Sequence, residues 1–452
     1  MTHPTSIDQA LALAVDLRAA SRLDEAAAVL SEALRGDSTA PALSYQLALI
    51  ETERGNWSEA ERLARVAARS GEAAYATGLG EILIRVGKHE EAENWLLRLV
   101  ASDSNDAPAQ ACLGFAYYKR RKLDEALNCL DKALAISPDF ASAQRLHKEI
   151  QAERDLYASV KELLREQKGG VKLSDETESA EVEFPSASLD ANGQPRFMMR
   201  LPASLIVNDI GAAYLFYHEV AGRGLEFPLR RFLDLHVMSD DVFIDVGAHW
   251  GIHSLTAATL LRKQVSALAI EAHPENSQRL RRWIEQNRLE DDVEVISKAI
   301  SDRTGVGNMW LSSSSMGHSL RTAGHENGSS ALDVEIATLD HLIAERPHLR
   351  WRRVILKIDV EGCELEVLAG AKELFSTAEV AAVIWEKGAF YEGKALEARN
   401  EAIFRFLDTR GFEHFRMEHE NSGGCLIALE GKDALCNVFS LGPSFERKQR
   451  YE

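Results

Sequence analysis

Carboxylates and glycines stand at the ends of apolar stretches that have the character of buried β-strands. The first stretch begins at Asp241 and runs through Asp245 into Gly247 and Gly251. Glycine at the end of a strand lets the backbone approach a ligand closely, and the helix that follows directs its N-terminus at that ligand. Glu271 ends the next apolar stretch, where a carboxylate is placed to hydrogen-bond a ribose diol. This spacing predicts a site for a nucleotide-type cofactor.

The glycine turn argues against a dinucleotide. A pyrophosphate-binding turn carries glycine at its first, third and sixth positions, whereas His249 and Ile252 occupy the third and sixth positions of this turn. Asp245 would repel a pyrophosphate, but it can accept a hydrogen bond from an ammonium group or orient the loop that does. S-adenosylmethionine carries an ammonium and a sulfonium and no phosphate. We therefore predict S-adenosylmethionine as the cofactor.

The candidate cofactor-binding residues come from three successive strand ends. They are Asp245, Gly247, Ala248, His249, Gly251 and Glu271, together with Ser297, Lys298 and Ala299, which stand where related folds pack an adenine. The alternative is that Asp245 only caps the helix after it and that Glu271 is a solvated strand end. Their joint spacing within an alternating strand–helix segment favours cofactor binding.

A second group of carboxylates, Asp359, Glu361 and Glu364, follows a later apolar stretch. Ligands of open parallel sheets bind outside the carboxyl ends of the strands, so these side chains are expected to face donor and acceptor. We predict Asp359 and Glu361 as catalytic residues, because a carboxylate whose pKa is raised by its neighbours can accept the proton of an attacking hydroxyl group. Lys357 shares a strand face with Asp359 and can pair with it. The alternative is that Glu361 and Glu364 only stabilise the start of the next helix.

A metal site is the other interpretation of these carboxylates. Asp359, Glu361 and Glu386 can supply oxygen ligands to Mg²⁺, but the spacing does not favour a metal over a general base. His249 and His253 are four residues apart, yet no third zinc ligand stands nearby. We predict no metal site.

The long segment Leu311–Ser330 is rich in serine and glycine. Its length and composition predict a substrate lid. His318 and His325 lie on it and are further candidate bases. Cys363, beside the carboxylates, is expected to be a small packing residue, since it has no partner histidine for a nucleophilic role.

Several motifs of the second half of the chain follow one another in a fixed order: Ile244–Gly251, Ile270–Asn276, Lys298–Asp302, Thr338–Asp340 and Leu356–Gly370. They resemble the FkbM-type S-adenosylmethionine-dependent methyltransferase family, over the segment from Arg230 to Glu430. That family usually has Asn where this chain has His249 and a small residue where it has Cys363. The resemblance implies a class I methyltransferase fold with a seven-stranded, mostly parallel sheet, and O-methylation, often of a sugar or secondary-metabolite hydroxyl.

The first third of the chain is a repeat array. A Glu-Ala dipeptide recurs at intervals of 34, 32 and 34 residues, as Glu25-Ala26, Glu59-Ala60, Glu91-Ala92 and Glu125-Ala126. A period near 34 with Leu113-Gly114 and a closing Pro138 is typical of tetratricopeptide repeats. We predict four helix pairs and a polar capping helix, at Ile7–Ala40, Pro41–Glu72, Ala73–Asp106, Ala107–Phe140 and Ala141–Lys168.

The predicted fold class is therefore an all-α tetratricopeptide solenoid followed by a Rossmann-like α/β domain. The predicted domains are the repeats at 1–168, a linker rich in polar residues at 169–200 and the methyltransferase domain at 201–452. Alternation with helices predicts a parallel sheet, with strands at Val242–Val246, Ala267–Glu271, Val293–Ser297, Val354–Asp359 and Val380–Glu386. A closing antiparallel pair is predicted at Phe412–Met417 and Cys425–Leu429.

Charge and cysteine content exclude several classes of function. The 52 basic and 70 acidic residues give a net charge of -18, which disfavours a nucleic acid or an anionic membrane as partner. The 5 cysteines form no C-x-x-C pair, so neither a disulfide framework nor a zinc site is indicated. Neither a signal peptide nor a membrane span is recognisable, and we predict a cytoplasmic protein.

Together these features predict an S-adenosylmethionine-dependent O-methyltransferase with a small-molecule or glycan acceptor. The repeats are expected to recruit a protein partner or to mediate self-association. Two alternatives stay open. In one, the repeat groove presents a protein or peptide for methylation. In the other, the chain is a non-catalytic scaffold with a decayed methyltransferase fold.

Overall fold

The computed structural model divides the chain into two compact units, with the division between Asp155 and Leu156 inside a long helix. It describes residues 6–19, 22–37, 39–167, 181–261, 267–311, 318–320, 331–349, 352–387, 394–417, 426–429 and 436–445. The first unit is all-α and the second is α/β, so the predicted fold class is confirmed. The predicted domain boundaries at 168 and 200 stay predictions.

The first unit consists of helix pairs that follow the predicted repeats. In chain order the helices are α1 Ile7–Ala19, α2 Leu23–Gly36, α3 Pro41–Glu53, α4 Trp57–Ala68, α5 Ala73–Arg85, α6 His89–Ser102, α7 Ala107–Lys119, α8 Leu123–Ile136 and α9 Ala141–Gln167.

The small residues of the repeat stand where these helices cross. The alanines of the later Glu-Ala dipeptides, Ala60, Ala92 and Ala126, are fully buried. A Cβ atom at Gly80 of α5 would lie 2.5 Å from Leu96 Cδ2 of α6. Close approach of the helix axes therefore requires glycine or alanine at these positions, which explains why the period is visible in the sequence.

The second unit alternates strands and helices. Its strands are β1 Glu181–Pro185, β2 Met198–Pro202, β3 Val242–Val246, β4 Ala267–Ile270, β5 Val293–Ile296, β6 Ala299–Ile300, β7 Gly305–Trp310, β8 Ala331–Ala337, β9 Arg353–Ile358, β10 Glu379–Lys387, β11 Glu413–Met417, β12 Leu426–Ala428 and β13 Cys436–Leu441. Its helices are α10 Ala203–Asn208, α11 Ile210–Val220, α12 Phe227–His236, α13 Ile252–Leu261, α14 Pro274–Asn287, α15 Leu339–Ala344, α16 Glu364–Ala369, α17 Leu374–Thr377 and α18 Lys394–Asp408.

The main sheet of the described residues has the order β12-β11-β13-β10-β9-β3-β4-β5. The strands from β10 to β5 in this order are parallel, and the remaining three pair antiparallel. Every residue of β3 and β4 is buried, as in parallel sheets covered on both faces. Since parallel strands end at the same edge, β3, β4 and β9 deliver their carboxyl-terminal residues to one place.

The predicted strand count of seven is wrong, because the described part of the sheet has eight strands. β11 and β12 pair as predicted, although Cys425 lies outside the described residues. The unpredicted strand is β13, which lies between β10 and β11. Its apolar pattern is interrupted by Ser440, which is fully buried. The Ser440 hydroxyl group is satisfied by Trp385 Nε1 at 3.1 Å and His414 Nδ1 at 2.8 Å, contacts that only the folded sheet supplies.

Part of the predicted linker is folded. β1 and β2 form an antiparallel pair between residues 181 and 202, with Phe184 and Met199 fully buried. Phe184 packs edge to face against Phe216 of α11, with ring centroids 5.1 Å apart. The polar residues that suggested a linker alternate with these buried residues, as expected of a strand with one solvated face. Residues 168–180 lie outside the described part of the chain.

A second, smaller sheet has the order β6-β8-β7. Its first strand, β6, begins three residues after the end of β5. Within the described ranges, no helix is both long enough and apolar enough to cross a membrane.

Candidate active site

A cleft opens at the carboxyl ends of the parallel strands. Its empty space is about 1100 Å³, including the open mouth. The predicted site residues that line it are Gly247, Ala248, His249, Gly251, Glu271, Lys298, Ala299, Asp359 and Glu361. Residues from four sequence motifs, spread over more than a hundred positions of the chain, are thus brought to one surface.

The turn after β3 forms part of the cleft wall, and its glycines are required by its conformation. Gly247 and Gly251 have φ of +81° and +80°, in the region that side chains disfavour. A Cβ at Gly247 would lie 1.8 Å from the backbone oxygen of Asp359. A Cβ at Gly251 would lie 2.1 Å from Leu280 Cδ1. The glycines therefore let the turn pack against the end of β9 and against α14.

Glu271, after β4, ties two segments of backbone together. Its Oε2 accepts a hydrogen bond from the His249 amide at 2.8 Å, and its Oε1 accepts one from the His273 amide at 2.8 Å. Burial raises the pKa of Glu271 to about 7, against the lowering effect of these hydrogen bonds. The carboxyl group both lines the cleft and holds His249 in its left-handed conformation, with φ of +52°.

Asp245 is fully buried and does not line the cleft. Its Oδ2 accepts a hydrogen bond from Ser254 Oγ at 2.7 Å, and its Oδ1 lies 3.3 Å from Lys357 Nζ. Asp245 therefore contacts the helix after the turn and the neighbouring strand, and the two roles predicted for it stay predictions.

Lys357 contacts residues at the ends of both β3 and β9. Its Nζ lies 3.2 Å from Asp359 Oδ2 and donates to the backbone oxygen of Gly247 at 3.4 Å. Burial lowers the pKa of Lys357, but the charges of Asp359, Asp245 and Glu226 outweigh burial and raise it. A permanent cation therefore links the ends of β3 and β9 beneath the turn.

The carboxylates after β9 differ in their surroundings. Glu361 has φ of +55°, and its pKa is raised to about 9, first by burial and then by the charges of Asp359, Glu386 and Glu364. Glu364, the first residue of α16, is buried and accepts a hydrogen bond from the Gly362 amide at 3.0 Å, so it ties the loop before the helix to the helix start. Burial likewise raises the pKa of Glu386 to about 7, and Glu386 does not line the cleft.

The residues after β5 divide between the cleft and the surface. Ser297 is exposed and turned away from the cleft, because its hydroxyl group accepts from Arg281 Nη2 and donates to Ser277 Oγ, both at 3.2 Å. Ser297 is not among the residues that line the cleft, and its adenine-packing role stays a prediction. Lys298 and Ala299 do line the cleft. Lys298 also pairs with Glu335 at 3.2 Å.

The described residues offer no metal centre. No group of three or more His, Cys, Asp or Glu side chains among them is arranged to hold a metal ion. The choice between a metal site and a general base at Asp359, Glu361 and Glu386 stays a prediction. Of the predicted lid, Leu311 and residues 318–320 are described. His318 lines the cleft with its ring 4.6 Å from that of His273, whereas His325 lies outside the described residues.

Models of known families match both units. The methyltransferase FkbM domain matches residues 245–414, and tetratricopeptide repeat models match residues 11–76, 45–107 and 107–140. The chain carries an FkbM methyltransferase domain that is C-terminal to tetratricopeptide repeats. The family predicted from the sequence motifs is thus confirmed, and the turn, Glu271 and the Lys357 cluster belong to the FkbM domain.

No curated protein matches the chain. Among solved structures, YrrB, a TPR protein with an unusual peptide-binding site, is 24% identical, with 32% of this chain and 77% of that chain covered and a TM-score of 0.26. MamA is 19% identical, with coverages of 31% and 84% and a TM-score of 0.27. The pilF protein of Pseudomonas aeruginosa is 18% identical, with coverages of 37% and 77% and a TM-score of 0.30.

Some cleft residues of the FkbM domain and its flank were not predicted. Trp250 Nε1 donates to Asn276 Oδ1 at 2.9 Å, and the Trp250 ring stacks on His249 at 4.3 Å. Glu226 lines the cleft and is hydrogen-bonded to His253. Trp250 and Asn276 stand inside the quoted motifs, so their motif membership was a usable signal. Glu226 precedes the matched segment, and no spacing in the sequence marks it.

Proposed function

We propose that this protein is an S-adenosylmethionine-dependent O-methyltransferase acting on a hydroxyl group of a glycan, a glycoconjugate or a secondary metabolite. The observation that carries the proposal is the meeting of the β3 turn, Glu271 and the Lys357–Asp359 pair in one cleft of an FkbM methyltransferase domain. These groups come from β3, β4 and β9, the positions at which open α/β sheets bind ligands.

The residues of the cleft fit the cofactor. Each oxygen of Glu271 accepts one backbone hydrogen bond and keeps a further lone pair for a ribose hydroxyl. Ala299, Ile300 and Met309 give the cleft an apolar wall suited to an adenine. The Gly247 turn presents backbone without a side chain. Bound in the cleft, S-adenosylmethionine would supply a methyl group already activated by its sulfonium.

The chain's own contribution is to hold the acceptor hydroxyl group and to take its proton. Asp359 is fixed at the cleft by the cation of Lys357, so its carboxylate can accept a hydrogen bond from the acceptor and orient it. Glu361 keeps its proton at neutral pH, because its pKa is about 9. Once ionised, its carboxylate can accept the hydroxyl proton as the oxygen attacks. Positioning supplies most of the rate enhancement in such a site.

The cofactor part of the proposal is tested by calorimetric titration of the purified chain with S-adenosylmethionine. We expect binding by the wild type and its loss in Glu271→Ala and Asp245→Ala, the first through a direct contact and the second through the loop. Glu183→Ala is the matched control, since Glu183 is an exposed carboxylate paired with Arg200 on the β1–β2 pair. A folded wild type that binds no cofactor would contradict the proposal and favour the scaffold.

The repeats are proposed to recruit a protein partner or to join copies of the chain, as tetratricopeptide arrays expose extended binding surfaces. Removing residues 1–168 distinguishes this role from presentation of a peptide substrate. Methylation of a saccharide or small-molecule acceptor, followed by mass spectrometry, should survive the truncation. Activity on peptides that disappears with the repeats would instead indicate a protein methyltransferase. Cofactor binding by the truncated chain serves as the folding control.

A further inference from the structure

We propose that Glu226 binds the ammonium group of the cofactor's amino acid tail and that His253 is the positioning residue that holds it. This inference rests on the proposed function, because it requires a cofactor with such a tail. It replaces the sequence-based assignment of the ammonium to Asp245, which is buried outside the cleft.

Glu226 is a carboxylate built into the cleft wall. It lines the cleft immediately before α12 and has φ of +48°. Its side chain is 31% exposed, whereas that of its partner His253 is only 8% exposed. Among the described residues, the one hydrogen bond of the Glu226 side chain is made to His253 through Oε2. Oε1 therefore stays available to a ligand.

The contact with His253 has a defined direction. A carboxylate only accepts hydrogen bonds, so the proton lies on Nε2 of His253. Nδ1 of His253 is buried and has no hydrogen-bond partner among the described residues. Among the described residues, the imidazole of His253 therefore hydrogen-bonds only to Glu226. This contact fixes the carboxylate through Oε2 and leaves Oε1 open to the cleft.

The neighbouring charges keep Glu226 ionised. Burial alone would raise its pKa, but His253, Lys357 and Arg230 outweigh burial and lower it to about 2. An ionised carboxylate that is partly exposed in a cleft attracts a cation, and charge-assisted hydrogen bonds to ammonium groups are stronger than neutral ones.

The other carboxylates near the cleft centre either have a charged partner already or are protonated. Asp245 is paired with Lys357 and Ser254. Asp359 shares the single positive charge of the same lysine with Asp245. Glu361 retains its proton at neutral pH. Glu226 is ionised and forms no ion pair with Lys357 among the described residues, so we assign it to the cationic ligand.

Glu226 lines the same cleft as the strand ends that would hold the cofactor. Lys357 on β9 and Glu271 after β4 stand on opposite sides of β3, and Glu226 is close enough to Lys357 for their charges to interact. A nucleoside whose ribose contacts Glu271 would extend its amino acid tail across the β3 turn. Its ammonium would then arrive on the side of Lys357 and Glu226.

The test compares two ligands that differ in this tail. S-adenosylhomocysteine carries the amino acid group and no sulfonium charge, and 5′-methylthioadenosine lacks the amino acid group. We expect Glu226→Gln to weaken S-adenosylhomocysteine binding by about tenfold or more, as one charged contact is lost, and to leave 5′-methylthioadenosine binding within about twofold. His253→Asn should produce a smaller loss with the same ligand preference. Glu183→Gln is the control that should change neither affinity.

The possible outcomes separate this inference from the proposed function. Equal weakening of both ligands by Glu226→Gln would overturn the inference, since the carboxylate would then only support the fold of the cleft. Unchanged S-adenosylhomocysteine binding with reduced turnover would also overturn it and assign Glu226 to the acceptor. A wild type that binds neither ligand would overturn the proposed function as well. Should Glu226→Gln fail to fold, Glu226→Asp keeps the charge, and a selective loss of S-adenosylhomocysteine affinity is again the expected result.

Discussion

Lys357 Nζ lies 3.3 Å from Asp245 Oδ1, and both side chains are almost completely buried. The two residues are direct register partners on the adjacent parallel strands β3 and β9. A buried charge without a partner is strongly destabilising, so each of these residues depends on the other. Their pairing fixes the relative position of the two strand ends that carry the cofactor turn and Asp359.

Replacing Lys357 with methionine tests this dependence. The change leaves Asp245 as an uncompensated buried anion, and we expect a loss of about 3 kcal/mol in the free energy of unfolding. Lys298→Met is the matched control. The Lys298–Glu335 pair has a similar length, 3.2 Å, but its side chains are 34% and 67% exposed, so its removal should cost under about 1 kcal/mol. Urea unfolding measures both, and equal losses would contradict the account.

The strands that carry the site are predicted closely by the sequence because their signal is local. The predicted strand Val242–Val246 agrees with β3 residue for residue, since a buried parallel strand is uniformly apolar and a glycine turn marks its end. The predicted starts of the four repeat pairs coincide with the starts of α1, α3, α5 and α7, because the spacing of small buried residues is itself periodic.

The remaining features depend on contacts that local patterns do not contain. Asp245 faces inward because Lys357 arrives from a strand far along the chain. β13 is stabilised by hydrogen bonds between Ser440 and side chains of other strands. The sequence of β13 alone does not indicate these contacts. The place of Glu226 in the cleft could not be predicted from local sequence, because its partner His253 belongs to a different segment of the chain.

Gly247→Ala is predicted to disrupt the site through sterics as well as through backbone strain. The added Cβ would lie 1.8 Å from the Asp359 backbone oxygen, so the turn must separate from β9. We expect a cost of at least about 3 kcal/mol in unfolding free energy. Gly193→Ala has a similar φ of +74° and nothing within 4 Å of the new Cβ, and it should cost only about 1 kcal/mol. Similar unfolding midpoints for the two variants would show that the close approach is not required.

Glu271 is predicted to make cofactor affinity dependent on pH. Its pKa is raised to about 7, so the carboxyl group is protonated below that pH and anionic above it. The anion accepts hydrogen bonds from the His249 and His273 amides and from the ribose, and affinity for S-adenosylhomocysteine should therefore rise by about tenfold between pH 6 and pH 8. Glu271→Gln should bind weakly at both values and lose the dependence. Calorimetry at the two pH values measures the effect, and a rise that persists in Glu271→Gln would assign it to another group.

Glu361 is predicted to set the pH dependence of methyl transfer. Because its pKa is raised to about 9, the fraction of anionic Glu361 able to accept a proton increases up to that pH, and the rate should increase with it. Glu361→Gln should remove this ascending limb and lower the rate at pH 9 by about 100-fold or more.

Asp359→Asn offers a sharper comparison. The charge of Asp359 helps to raise the pKa of Glu361, so this variant should shift the limb to lower pH while also slowing turnover through poorer orientation of the acceptor. Initial rates of methyl transfer across pH 6 to 10 measure these profiles. An ascending limb retained in Glu361→Gln would assign proton acceptance to a different group.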